Sequence, residues 1–230
     1  MSFTLALAGL IGTVVTLMDP RLRGLFLFIP FAFYTGMEIL QGIQYWHVNR
    51  CGDLANAVST EVAYVLVIVQ PLMWNALYYL RTKGPDRSLF VVGMVMSLIW
   101  MGFSVAGRLL HGHPSYKARE NDVHSYIQTG HELGCTMRGG PGKHLYWKWA
   151  SADLRGVDAN WLMYLMIWFV PALVSVAQRT NVAISVCAAS VAFVVTAAFG
   201  TDMAEFASLW CMLSVPMLTF MLVDAGRARS

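Results

Sequence analysis

The sequence predicts an all-α polytopic membrane bundle of about seven transmembrane helices, with the N-terminus outside and one long extracytoplasmic loop. Three observations carry that prediction. The 230-residue chain is 57% hydrophobic and 13% charged, too apolar for a soluble domain of this size. Its apolar residues form long blocks instead of narrow amphipathic stripes, and its basic residues gather in alternate short loops. The formal charge of +3 is small and no basic run occurs, so the expected partner is the lipid bilayer and not nucleic acid.

The spans fall near 2–18, 24–46, 56–80, 88–110, 159–178, 181–200 and 203–223. The whole chain, 1–230, reads as one membrane domain, interrupted by an outer loop at 111–157. The first span is short and contains glycine, which resembles a signal peptide. It lacks a basic n-region, however, and Asp19-Pro20-Arg21 follows it instead of a small-residue cleavage site, which favours a retained anchor. Arg21, Arg23, Arg81, Lys83, Arg87, Arg179, Arg227 and Arg229 collect on one side. The opposite short loops offer only Arg50, so the C-terminus is expected in the cytoplasm. Trp46, Tyr78, Tyr79 and Trp161 near span ends suit an interfacial aromatic belt.

That topology puts Cys51 and Cys135 together on the outer, oxidising side and predicts a disulfide between them. The alternative is a pair of free thiols in a reducing compartment. Cys187 and Cys211 lie in apolar spans and read as small packing residues.

Polar side chains inside apolar spans mark interior faces. Tyr34, Glu38, Gln41 and Tyr45 recur at i, i+4, i+7 and i+11 and so share one helical face. In the next span Gln70, Pro71 and Asn75 interrupt an aliphatic run. A carboxylate in a bilayer costs a few kcal/mol or more unless paired or wet, so Glu38 must face inward. At ~1.5 Å per residue, Glu38 lies ~5 Å outward of the middle of its span and Gln70 just inward of the middle of the next, so the two are expected to meet. Glu61, Arg108 and Glu205 fall near outer span ends as mouth charges, with Arg108 a partner for either carboxylate. Glu38, Gln41, Tyr45, Gln70 and Asn75 are therefore the solute- or ion-binding candidates. The competing account is an interhelical hydrogen-bond network that fixes packing, and it weighs more for Gln41, Gln70 and Asn75 than for Glu38.

The loop at 111–157 holds five of the six histidines. His111, His113 and His131 are weak metal candidates: His-x-His and the His131-Glu132 run invite zinc, but the spacing fits no standard zinc signature. Histidines that simply hydrogen-bond are the commoner outcome.

The blocks MEILQGIQY (37–45) with the following Cys51, IVQPLMWNA (68–76), CTMRGGPGKHLYWKW (135–149) and ASLWC (207–211) resemble those of an uncharacterised family of multi-pass membrane proteins. That family is a domain of unknown function with members in bacteria, algae and large DNA viruses. Its expected pattern is Met-Glu-x-x-Gln, then Gln-Pro and Asn, then Cys followed by a His-Leu-x-Trp element, and a final Trp-Cys. Here those positions are Glu38 and Gln41, then Gln70, Pro71 and Asn75, then Cys135, His144 and Trp147, and finally Trp210 and Cys211. The resemblance implies a shared fold and singles out His144 and Trp147 as an outer-loop element. It implies no reaction, substrate or cofactor.

Several functions are disfavoured. The last span contains no lysine for a retinal Schiff base, and no Gly-rich phosphate loop, GxSxG elbow or HExxH motif occurs. Met94, Trp100, Met163, Met166 and Trp168 are bulk for a core or a lipid-facing surface before they are a cofactor box. The best reading is a small-solute or ion carrier or channel with a mid-membrane carboxylate. The first alternative is a non-transporting receptor or assembly protein that uses the outer loop. The second is a metal-dependent membrane hydrolase, weakened because the spans hold no histidine. No cofactor is implied, and no GxxxG seam indicates an oligomeric partner.

Overall fold

A computed structural model describes residues 2–110, 134–139, 144–148, 161–199 and 205–227. The helices are α1 (Ser2–Met18), α2 (Pro20–Arg23), α3 (Phe28–His47), α4 (Leu54–Arg81), α5 (Arg87–Leu110), α6 (Trp161–Val174), α7 (Arg179–Phe199) and α8 (Glu205–Arg227). Strands β1 (Cys135–Arg138) and β2 (Leu145–Lys148) lie between α5 and α6.

The helices divide into an inner ring and an outer layer. Helices α3, α4, α6 and α8 surround the interior, α3 touching α4 and α8, and α4 touching α6. Trp168 of α6 and Trp210 of α8 close the ring at 5.0 Å between ring centroids. Outside it, α1 lies on α3, α5 on α4 and α7 on α8. Phe31, Tyr34, Trp74, Tyr78 and Trp168, all essentially inaccessible, fill the centre. The outward faces of the peripheral helices are apolar and bare, as at Leu7, Ile11 and Val14 of α1, Val92, Leu98 and Phe103 of α5, and Phe193 and Val194 of α7.

Close helix approach explains glycines that periodicity alone leaves unexplained. A Cβ at Gly12 of α1 would fall 2.6 Å from the Phe31 ring of α3, and one at Gly42 of α3 would fall 2.6 Å from the Phe3 ring of α1. The glycines that made the first span look weak are thus where α1 seats on α3.

The proline break in α6 is repaired by a side chain from a neighbouring helix. Pro171 inside α6 has no N–H to bond the Ile167 carbonyl one turn earlier. Asn75 of α4 supplies the missing donor, its Nδ2 lying 3.0 Å from that carbonyl and 2.8 Å from the Pro71 carbonyl. A Cβ at Gly93 of α5 would overlap the Asn75 side-chain oxygen. We expect Gly93→Ala to push Asn75 off the Ile167 carbonyl and lower stability by roughly 1–3 kcal/mol. A thermal melt of the purified variant in detergent checks this, and an unchanged melting temperature would refute it.

Three expectations are refined. The described residues are all-helical as expected, with one small addition: β1 and β2 form an antiparallel hairpin with Cys135 opposite Lys148 and Arg138 opposite Leu145. The predicted span at 159–178 ends as a helix at Val174, where Ser175 and a 3-10 turn at Val176–Gln178 lead into α7. Among the described residues four helices, not seven, are long and apolar enough to cross a membrane: α4, α5, α7 with the turn before it, and α8. Helix α1 has 17 residues and α6 has 14. Helix α3 has the length, but Glu38, Gln41 and Gln44 dilute its hydropathy.

The two turns at one end of the bundle lock together. Ser175 donates to Asp86 at 2.9 Å, and Gln178 donates to Thr82 at 3.0 Å, so the α6–α7 corner is fastened to the α4–α5 corner.

Candidate functional site

At the opposite end, the hairpin is built into the bundle. The α3–α4 turn begins with Asn49 in the left-handed region at φ 63°, which asparagine tolerates. Its side chain donates to the Arg138 carbonyl at 3.2 Å and accepts from the Arg138 N–H at 2.8 Å. Asn56 treats Thr136 the same way, accepting from its N–H and donating to its carbonyl, both at 2.9 Å. Two asparagine amides thus stand in for a third strand and satisfy the free edge of β1. Thr60 shares a 2.7 Å hydroxyl contact with Thr136, and Glu61 accepts from the Gly134 N–H at 2.9 Å. A disulfide joins Cys51 to Cys135, as the topology predicts. Asp53 caps α4: the Ala55 amide and the His47 ring hold its carboxyl below the usual carboxylate range.

From the hairpin a column of polar groups descends between α3, α4, α6 and α8. Trp147 is buried and donates to Gln44 at 2.9 Å, while Gln44 donates to the Ser59 carbonyl at 2.9 Å. His144 Nδ1 lies 2.8 Å from Ser208 Oγ and 3.3 Å from the Leu145 carbonyl. Ser208 directs its own proton to the Leu145 and Glu205 carbonyls, which leaves the ring proton on Nδ1. The Tyr45 ring meets His144 edge-on at 6.2 Å and lies under the Arg138 guanidinium at 5.6 Å. One turn deeper, Gln41 donates weakly to the Ser208 carbonyl at 3.4 Å. Deeper still, Gln70 donates to Cys211 Sγ at 3.6 Å and accepts from the Tyr164 hydroxyl. Trp74 donates to Tyr34 at 3.0 Å, and the stacked Trp74–Trp168 pair floors the column.

Glu38 sits within this column with no exposed surface, and neither carboxylate oxygen has a hydrogen-bond partner among the described residues. Gln41 Oε1 is buried and equally bare. The Ser2 hydroxyl of α1 faces the Glu38 carboxylate without forming a well-shaped hydrogen bond to it. Asn75 Oδ1 and the indole nitrogens of Trp168 and Trp210 are likewise buried without a partner among the described residues, but Glu38 is the one of these groups that can carry a negative charge.

The chain belongs to DUF5765, a family of unknown function. Its family model matches residues 1–229, so the blocks quoted above sit in one continuous match. No curated protein and no solved structure matches the chain.

Within this DUF5765 chain the predicted residues fare differently. No hydrogen bond joins Glu38 to Gln70 among the described residues; Gln70 bonds instead to Cys211, which the sequence suggested was only packing, and Glu38 is within electrostatic reach of that sulfur. Asn75 belongs to the helix repair through its Nδ2, while its Oδ1 is buried without a partner among the described residues. Tyr45 is half-buried at the hairpin end, and Gln44, not singled out from the sequence, is the buried polar group there. Glu61 holds the start of the hairpin, and Glu205 is buried at the first turn of α8. His144 is half-buried against Ser208, and Trp147 is buried and bonded to Gln44. The Arg108 side chain and all of His111, His113 and His131 lie outside the described residues. Among the described residues no three His, Cys, Asp or Glu side chains come together as a metal site. Tyr164 and Ser208 were missed because a lone tyrosine or serine in an apolar span carries no periodic signal.

His144 makes the hairpin's seat sensitive to pH. Burial pushes its pKa below the usual imidazole value, although the Glu205 carboxylate across from it opposes the shift and Arg138 reinforces it. The unfolded chain therefore binds the proton more readily than the folded one, so stability is full above an unfolded pKa of about 6.5 and falls as pH drops below it. We expect the wild-type melting temperature to fall from pH 7.5 to 5.5, and His144→Gln to flatten that slope. Equal slopes in the two proteins would refute it.

Proposed function

We propose that the chain is a multi-pass membrane carrier for a small solute or ion, with Glu38 as its central group. Four apolar helices of spanning length and the bare apolar outer faces of α1, α5 and α7 support a membrane setting. On this reading α1 and α3 to α8 make seven passes, the shorter helices being sheltered by their neighbours. The α4–α5 and α6–α7 corners, which carry Arg81, Lys83, Arg87 and Arg179, then face the cytoplasm. Their mutual hydrogen bonds agree with that assignment, and the disulfide agrees with an oxidising environment at the other end. The N-terminus lies outside and the C-terminus inside.

The observation that carries the reading is the Glu38 carboxylate, which is buried and has no hydrogen-bond partner among the described residues. A bare buried charge is too costly to persist, so the group takes up a proton or an ion when one reaches it. The polar column from His144 to Gln70 gives a solute or ion successive partners between the hairpin end and the aromatic floor. Reconstitution in liposomes tests this: wild type should sustain a substrate- or ion-dependent flux that Glu38→Gln abolishes. Normal flux in Glu38→Gln would end the proposal.

A further inference from the structure

We infer that Glu38, Gln41 and Ser2 form a binding site for a monovalent alkali cation; this rests on the carrier reading for its role in flux but not for its existence. Three acceptor atoms, Glu38 Oε1, Glu38 Oε2 and Gln41 Oε1, are buried and lack any donor among the described residues. Glu38 and Gln41 are separated by three residues on α3 and so are neighbours on its surface. The Ser2 hydroxyl brings a further oxygen from α1.

A proton on Glu38, with the Ser2 hydroxyl turned to the carboxylate, is the rival occupant, and it would give no dependence on the choice of alkali cation. A cation held between the side chains would satisfy the bare oxygens together and would discriminate by size. The oxygen-only donor set suits a hard ion and disfavours zinc or copper, for which nitrogen and sulfur are the preferred ligands. Cys211, whose sulfur accepts from Gln70, is the one soft atom near the carboxylate. The charge is a single negative one, which a monovalent ion neutralises. A divalent ion would leave net positive charge inside the bundle, and no other carboxylate is among the groups that act on Glu38.

The test is a set of thermal melts of purified full-length protein in detergent. Sodium, potassium and lithium chloride are compared with choline chloride at equal ionic strength and pH. One alkali cation should raise the melting temperature saturably, by about 5 °C at a hundredfold excess over its dissociation constant. Glu38→Gln and Glu38→Leu should lose the shift, Gln41→Leu should weaken it, and Asp224→Asn, an exposed position near the end of α8, should keep it. The same response to choline as to every alkali cation overturns the site, and so does a shift that survives in both Glu38 variants. If flux needs Glu38 and follows pH while no alkali cation shifts the melt, the cation site falls and the carrier stands. If the shift appears and nothing crosses the membrane, the carrier falls and the site stands.

Discussion

Replacing Cys51 and Cys135 together by serine should lower the melting temperature by about 10 °C and free the hairpin from the bundle. The two cysteines are 84 residues apart, and closing a loop of that length in a fully flexible unfolded chain is worth about 4.5 kcal/mol. Helices that persist in the detergent-unfolded state reduce that, so about 2–4 kcal/mol is expected, at 2–4 °C for each in a chain of this size. A second contribution is local. The disulfide fixes Cys135 beside Thr136, whose backbone and hydroxyl meet Asn56 and Thr60. When the hairpin lifts away, those groups and Gln44 lose their partners together. Limited proteolysis reports the detachment directly: the reduced wild type and the double variant should be cut near the hairpin at similar rates, and the oxidised wild type far more slowly. If reduction leaves both the melt and the proteolysis unchanged, the asparagine ladder alone holds the hairpin and the disulfide does not.

How much of this was legible in the sequence depends on the kind of signal each residue leaves. Glu38 and Gln41 were legible because a charge or amide in an apolar block is expensive, and expense marks an interior face. The disulfide was legible from topology, since only two cysteines could reach the same side. The hairpin was not. CTMR and LYWK are four residues each, too short for alternation to show, and their stabilising edge comes from Asn49 and Asn56, some 80 residues earlier. The repair of Pro171 by Asn75 was hidden for the same reason: it links residues 92 apart and leaves no local pattern. Gln44 shows a third kind of loss. Helical spacing placed Tyr45 on the Glu38 face, but Trp147 docks over Gln44 and makes that residue the buried one. The long-range partner, not the helix period, chose between neighbours.

In choline buffer, Glu38→Leu should melt at or above wild type, and this sign separates the carrier reading from a structural one more sharply than loss of flux does. A carboxylate that holds helices together would cost about 3–5 kcal/mol when one side of its pairing is removed. Glu38 has no such pairing among the described residues. Its removal takes away an uncompensated polar group, and replacing buried charge by apolar bulk is neutral or stabilising by about 1–4 kcal/mol. Glu38→Gln keeps the shape while removing the charge, and is expected to lie between the two proteins. A gain in stability that accompanies loss of flux is the mark of a residue kept for what it binds. Adding the right alkali cation should then reverse the order, because only wild type gains from it. Melting curves that cross in this way could not arise from a packing residue. A Glu38→Leu protein that melts far below wild type in choline, with no flux in either, would instead make the carboxylate part of the scaffold and leave the column without a transported occupant.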